Sequence, residues 1–184
     1  MTIAEAIELI GPAMPEPARG TWADFGAGRG TFTEALAGLL GKDGTVIAID
    51  NDPNIIADLR RLASQATSAR IEVVAGDIRK LDAISALRTQ RLDGALFGNV
   101  LHYVPDQDHV LSSVRRCLKS PASIIVIEYD RRSASRWVPH PLPLEDLAIV
   151  ARKAGLPEPV EVARRDSRYQ GELYCAVMRC ESSS

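Results

Sequence analysis

The 184-residue chain has little that could staple it or carry it across a membrane. Its three cysteines, Cys117, Cys175 and Cys180, are odd in number and form no C-x-x-C pair. No histidine stands at ligand spacing from them, so a disulfide framework and a zinc site are both disfavoured and no metal is expected. No apolar run approaches the roughly 20 residues of a membrane span. The opening MTIAEAIELI carries Glu5 and Glu8 and no basic stretch, unlike an ordinary secretory signal. A cytoplasmic protein with reduced thiols and no membrane partner is the expectation. A formal charge of -2 gives no general attraction to nucleic acid. Aromatic residues make up only 5%, yet 46% hydrophobic and 25% charged residues are the proportions of a folded domain, not of a disordered chain.

What the chain does have is alternation. TWADF, TVIAID, RIEVVA, LDGALFGN and SIIVIEY read as buried strands, each β-rich and bounded by polar residues or glycine. Between them, Thr31–Leu40, Pro53–Gln65, Lys80–Thr89 and Asp106–Leu118 have helical periodicity, with starts such as Asp52 before Pro53. Strand alternating with helix predicts an α/β fold with a doubly wound, mostly parallel sheet covered on both faces. After a proline-containing loop, a helix over Leu144–Ala154 ends at Gly155, and Pro159–Arg164 and Glu172–Arg179 read as two strands joined by a polar turn. The length suits one domain over 1–184. Its first twenty residues form a short helix and lead-in that stands near the ligand, and Ser182–Ser184 is a frayed tail.

The chemistry concentrates in WADFGAGRGTFT, where Asp24 precedes Gly26, Gly28 and Gly30. A strand that turns through glycine into a helix lets backbone approach a ligand. A dinucleotide site wants its third glycine three residues after the second, and Thr31 stands there. Asp24 would also repel a pyrophosphate and attract a cationic amino group. The spacing D-x-G-x-G-x-G resembles the first motif of the class I S-adenosylmethionine-dependent methyltransferases. The resemblance runs from Trp22 to Cys180 and implies a Rossmann-like sheet of order 3-2-1-4-5-7-6 with an antiparallel last strand. It also implies S-adenosylmethionine as cofactor and S-adenosylhomocysteine as product.

Ligands in open parallel sheets bind at the carboxyl ends of strands, near the point where strand order reverses. Besides Asp24, Gly26, Ala27, Gly28 and Gly30 at the first strand, Asp50 ends the second, where a carboxylate can accept both ribose hydroxyls. Asn51 follows it beside the adenine. Asp77 and Ile78 match the adenine-binding position of the family, and Gly98 and Asn99 would line the methionine end. A nicotinamide-dependent oxidoreductase is the rival class, weakened by the third glycine, by Asp24 and by the lack of a Tyr-x-x-x-Lys pair. A binding protein without turnover would keep the same pocket.

The acceptor side is less determined. The D/N-P-P-Y/F signature, a Pro-Cys nucleophile and a magnesium-binding acidic set are all absent, and N-x-L-H-Y after the fourth strand resembles the group that methylates small molecules. His102 and Tyr103 are therefore the catalytic candidates, His102 as a base of suitable pKa. A second set, Tyr129, Arg131, Arg136, Trp137, Arg168 and Tyr169, would suit a planar, anionic small acceptor. Against that stands the plainer reading in which the rim arginines pair with Glu128, Asp130, Glu161 and Asp166. RNA or protein acceptors are the alternative. Binding of RNA would weaken steeply as salt rises, whereas a small acceptor would respond mildly, so affinity measured across a salt series separates the two.

Overall fold

The structure is a computed structural model that describes residues 1–131, 133–167 and 171–181. In it, seven strands make one sheet: β1 (Thr21–Phe25), β2 (Thr45–Asp50), β3 (Arg70–Ala75), β4 (Leu92–Gly98), β5 (Leu118–Tyr129), β6 (Val160–Asp166) and β7 (Glu172–Cys180). Their order is β3-β2-β1-β4-β5-β7-β6, as the family resemblance implies. β1 to β5 pair in parallel, while β7 runs antiparallel to both β5 and β6. The order therefore reverses between β1 and β4, and the glycine turn leaves β1 at that reversal.

Six helices cover the sheet: α1 (Ile3–Ile10), α2 (Thr31–Leu40), α3 (Pro53–Gln65), α4 (Ser85–Thr89), α5 (Gln107–Cys117) and α6 (Leu144–Lys153). The two-residue period of a strand divides the core between the faces. Ile47 and Ile49 join the side of α5 and α6, whereas Val46 faces α1 and α2, and Ala48 meets Leu59 of α3. Two expected elements differ. The segment read as one helix over Lys80–Thr89 is a 3-10 turn over Ile78–Ala83 followed by the short α4, with non-helical backbone at Lys80. Ile78, Leu81 and Ile84 are all buried at a spacing of three, which a 3-10 turn brings to one side. RIEVVA, read as a buried strand, is the half-exposed edge strand β3.

The same period settles Asp24. Its neighbours Ala23 and Phe25 enter the α5 side of the core, so Asp24 shares the other face with Trp22, toward α2. There it is 1% exposed and accepts the Thr33 hydroxyl at 2.6 Å. Burial, assisted by the nearby charge of Asp50 and opposed by the Thr33 bond, pushes its carboxyl up to about 7. An unfolded aspartate titrates at about 3.9. Between these values the folded chain binds a proton that the unfolded chain does not, so this group costs stability progressively as pH rises through that window. Asp24→Asn should remove that slope. Urea unfolding at about pH 5 and about pH 8 checks it, the wild type losing a few kcal/mol more than the variant between the two. Equal losses would show Asp24 ionised throughout.

Candidate functional site

A cavity of about 600 Å³ opens at the carboxyl ends of β1 to β4, within the size range of small-molecule sites. β1 contributes the turn Gly26, Ala27 and Gly28 to its wall, β2 contributes Asp50 and Asn51, the end of β3 Asp77 and Ile78, and the end of β4 Asn99. Nine residues expected at a cofactor site, Gly98 of β4 among them, are thereby brought into one wall by four separate strands. Tyr103, after β4, and Met1, ahead of α1, line the cavity too.

The turn is built around hydrogen bonds from its glycine-segment amides to protein acceptors. The amides of Gly26 and Ala27 both donate to the Ile49 carbonyl, at 2.9 Å each, and Gly30 donates to Ala27 at 3.0 Å. Gly28 donates to Asp50 Oδ2 at 2.9 Å, while Asp50 Oδ1 accepts from Asp52. A pyrophosphate held by backbone amides would find these four already committed. Gly26 has to be glycine: its φ is +72°, and a Cβ would stand 2.3 Å from Val100 Cγ2, a side chain that also lines the cavity.

The cavity's acceptors face it in a different state. Asp50 retains lone pairs beyond its two amide bonds, since a carboxylate offers about four acceptor positions. Asp77 is gripped by Arg79 through Nε and Nη2, at 2.7 to 3.1 Å, and this pairing holds its carboxyl below the usual range. Asn99 has φ +56° and a buried Oδ1 with no partner. Left-handed backbone and an unpaired buried acceptor each cost free energy, and a ligand donating to Asn99 would recover the second. A hydroxyl-bearing, amino-bearing, phosphate-free ligand such as S-adenosylmethionine fits this set.

Not every expected residue comes to the wall. Asp24 faces Thr33 beneath the turn, so its carboxylate does not line the cavity. Gly30 starts α2 with φ +84° and is directed at α3, where a Cβ would meet Leu62 at 2.6 Å. Its role is close packing. His102 lies in the 3-10 turn Leu101–Tyr103, 2% exposed, and is not a lining residue; Tyr103 beside it is 52% exposed.

Of the rim set, Tyr129 ends β5 with its ring 6.0 Å from that of His102, Arg131 Nε donates to Ser133, and Arg136 lies over Trp137 at 5.4 Å from the ring centroid. None of these four lines the cavity. Arg168 and Tyr169 fall outside the described residues. The anion clamp expected of the arginines is weakened further by Arg164, which bonds Asp130, Glu161 and Glu172, and by Arg165, which bonds Glu5. Glu128, weighed from sequence as a partner for them, pairs with His102. Both sit just past or at the ends of adjacent strands, which was the signal available for pairing them.

Residues 19–165 match the profile of the family described as a methyltransferase domain. Among curated relatives, a ribosomal RNA small subunit methyltransferase H of Paracidovorax citrulli is 39% identical over 69 residues, covering 37% of this chain and 22% of that protein. A demethylmenaquinone methyltransferase of Bacillus cereus is 27% identical over 105 residues, covering 57% of this chain and 43% of that one. The matched region thus spans less than half the length of these relatives. Among solved structures, an arsenic(III) S-adenosylmethionine methyltransferase of Chlamydomonas reinhardtii superposes with a TM-score of 0.71 at 20% identity, covering 88% of this chain and 63% of its own. A Burkholderia thailandensis 1,6-didemethyltoxoflavin-N1-methyltransferase, solved with S-adenosylhomocysteine, gives 0.71 at 22% identity, covering 98% and 78%. With the sheet order and the strand-end cavity already in place, the match over most of its length establishes that the chain belongs to the methyltransferase domain family.

Proposed function

We propose that this chain transfers the methyl group of S-adenosylmethionine to a small acceptor that enters the cavity past Tyr103. The observation that carries the reading is the commitment of the Gly26, Ala27, Gly28 and Gly30 amides to protein acceptors, with the acceptor groups of Asp50, Asp77 and Asn99 lining the cavity at the strand ends. Asp50 would take the ribose hydroxyls, Asn51, Asp77 and Ile78 the adenine, the Gly26–Gly28 backbone the middle of the ligand, and Asn99 the amino end. When bound, the cofactor supplies a methyl carbon already activated by its sulfonium. The chain's task is then alignment and exclusion of water, worth on the order of 7–11 kcal/mol at ideal geometry. Tyr103, an exposed lining residue, would touch the acceptor, and His102 would act from behind it. The 1,6-didemethyltoxoflavin of the Burkholderia enzyme's name and the demethylmenaquinone of the Bacillus relative's name both accord with a small-molecule acceptor. Among the described residues no helix is long and apolar enough to cross a membrane.

Asp50→Ala should remove most affinity for S-adenosylhomocysteine, by leaving the diol unpaired and by freeing the Gly28 amide. Calorimetry decides, and unchanged affinity would refute the ribose assignment. Tyr103→Ala should leave that affinity in place while lowering transfer. The protein incubated with methyl-labelled cofactor and a small-molecule cell extract would reveal the acceptor as the labelled product; label found only in RNA or protein would refute the small-acceptor reading.

A further inference from the structure

Glu128, the second-last residue of β5, is 1% exposed, and neither the cavity wall nor the cofactor contacts above involve it. Both its oxygens hold the same residue. Oε2 lies 2.6 Å from His102 Nδ1, and Oε1 accepts the His102 backbone amide at 3.2 Å. A carboxylate only accepts, so the ring nitrogen facing it carries a hydrogen. A neutral amide at this position could also accept, at far smaller desolvation cost than a buried charge. What the charge adds is strength, since charge-assisted bonds are roughly twice as strong as neutral ones.

The residue so gripped is a junction. On one side of His102, Leu101 is sunk in the core, and on the other Tyr103 lines the cavity, with the two rings 4.2 Å apart. The His102 carbonyl accepts the amide of His140 at 3.0 Å. Gln107, itself buried, donates through Nε2 to the carbonyls of Leu101 at 3.1 Å and His140 at 3.0 Å. The stretch between β5 and α6 is thus fastened to the same turn. Val138 and Leu142 of that stretch are buried, while Trp137 is 71% exposed beneath the Arg136 guanidinium.

We propose that Glu128 is a positioning residue for methyl transfer: through His102, whose turn is also held by His140 and Gln107, it sets Tyr103 against the cavity, so that the acceptor meets a side chain already in place. The inference rests on the methyltransferase reading above and adds no group to the bond-making itself. Its energetic logic is preorganisation, because groups ordered before binding need not be ordered during it.

The test uses the full chain as wild type, Glu128→Ala and Glu128→Gln, with S-adenosylhomocysteine saturating only where the His102 ring is read. Calorimetry reads affinity for that product, NMR of the His102 ring nitrogens reads the hydrogen position, and labelled cofactor with a small-molecule extract reads transfer. Affinity should stay within about twofold in all three, since Glu128 shares no partner with Asp50 or Asp77. Glu128→Ala should lower transfer at saturating extract by on the order of tenfold to a hundredfold. Glu128→Gln, which keeps an acceptor oxygen but can turn its amide to the ring, should recover part of that loss and move the His102 hydrogen from Nδ1 to Nε2. Wild-type transfer by Glu128→Ala overturns the proposal, as does a parallel fall of affinity and transfer, the mark of general loosening. A wild-type His102 with no hydrogen on Nδ1 overturns it with no acceptor present. Failure of wild-type protein to bind S-adenosylhomocysteine would instead refute the methyltransferase reading.

Discussion

One hydrogen bond, from the Gly28 amide to Asp50 Oδ2 at 2.9 Å, joins the two strand ends on which the cavity depends. It closes the turn after β1 onto the end of β2, and the amides of Gly26 and Ala27 follow by donating to Ile49 just before it. By these bonds a glycine-rich turn that leads into a helix, ordinarily a place for phosphate, turns three of its amides to the end of β2 instead of to the cavity. They also hold Asp50 where its remaining lone pairs meet the cavity, so that one carboxylate both clamps the turn and offers acceptor positions to the cavity. The two roles do not compete, because a carboxylate has more acceptor positions than the turn uses.

Buried charge is handled differently on the two sides of the reversal between β1 and β4. Asp24, beneath the turn, has a single hydroxyl partner and is pushed toward its neutral form. Glu128, on β5, meets both the backbone amide and the ring Nδ1 of a single residue. Charges at the outer edge follow a third pattern: Arg164 gathers three carboxylates on β6, β7 and the end of β5, at a half-exposed place where such pairs contribute little each. Of the closing hairpin's described arginines, Arg164 belongs to this network and Arg165 pairs with Glu5.

Much of the fold was legible because local signals agreed with one another. β-rich runs, the Asp52 cap before Pro53, the Gly155 stop and the departure from strict alternation after Tyr129 all name elements whose side-chain periodicity is short-range. The helix over Lys80–Thr89 was misread because a repeat of three and a helical repeat are hard to separate over ten residues, and burial of Ile78, Leu81 and Ile84 decided for the former. The candidate cavity was legible in the same way at strand ends, where Asp50, Asp77 and Asn99 each close an apolar run. Asp24 and Gly30 were placed on the ligand from the spacing of the turn, yet spacing carries no information on which face a side chain takes.

The sequence by itself determined the alternating architecture, the glycine turn and the strand-end carboxylates, since each is written in residues a few positions apart. Only the tertiary structure decided which acceptors the turn's amides meet, that Asp24 faces Thr33 and Gly30 faces Leu62, and that Glu128 reaches His102 across 26 residues of chain. Those outcomes depend on the register of neighbouring strands and the crossing of helices over them, which bring together groups whose separation along the chain bears no relation to their distance in space.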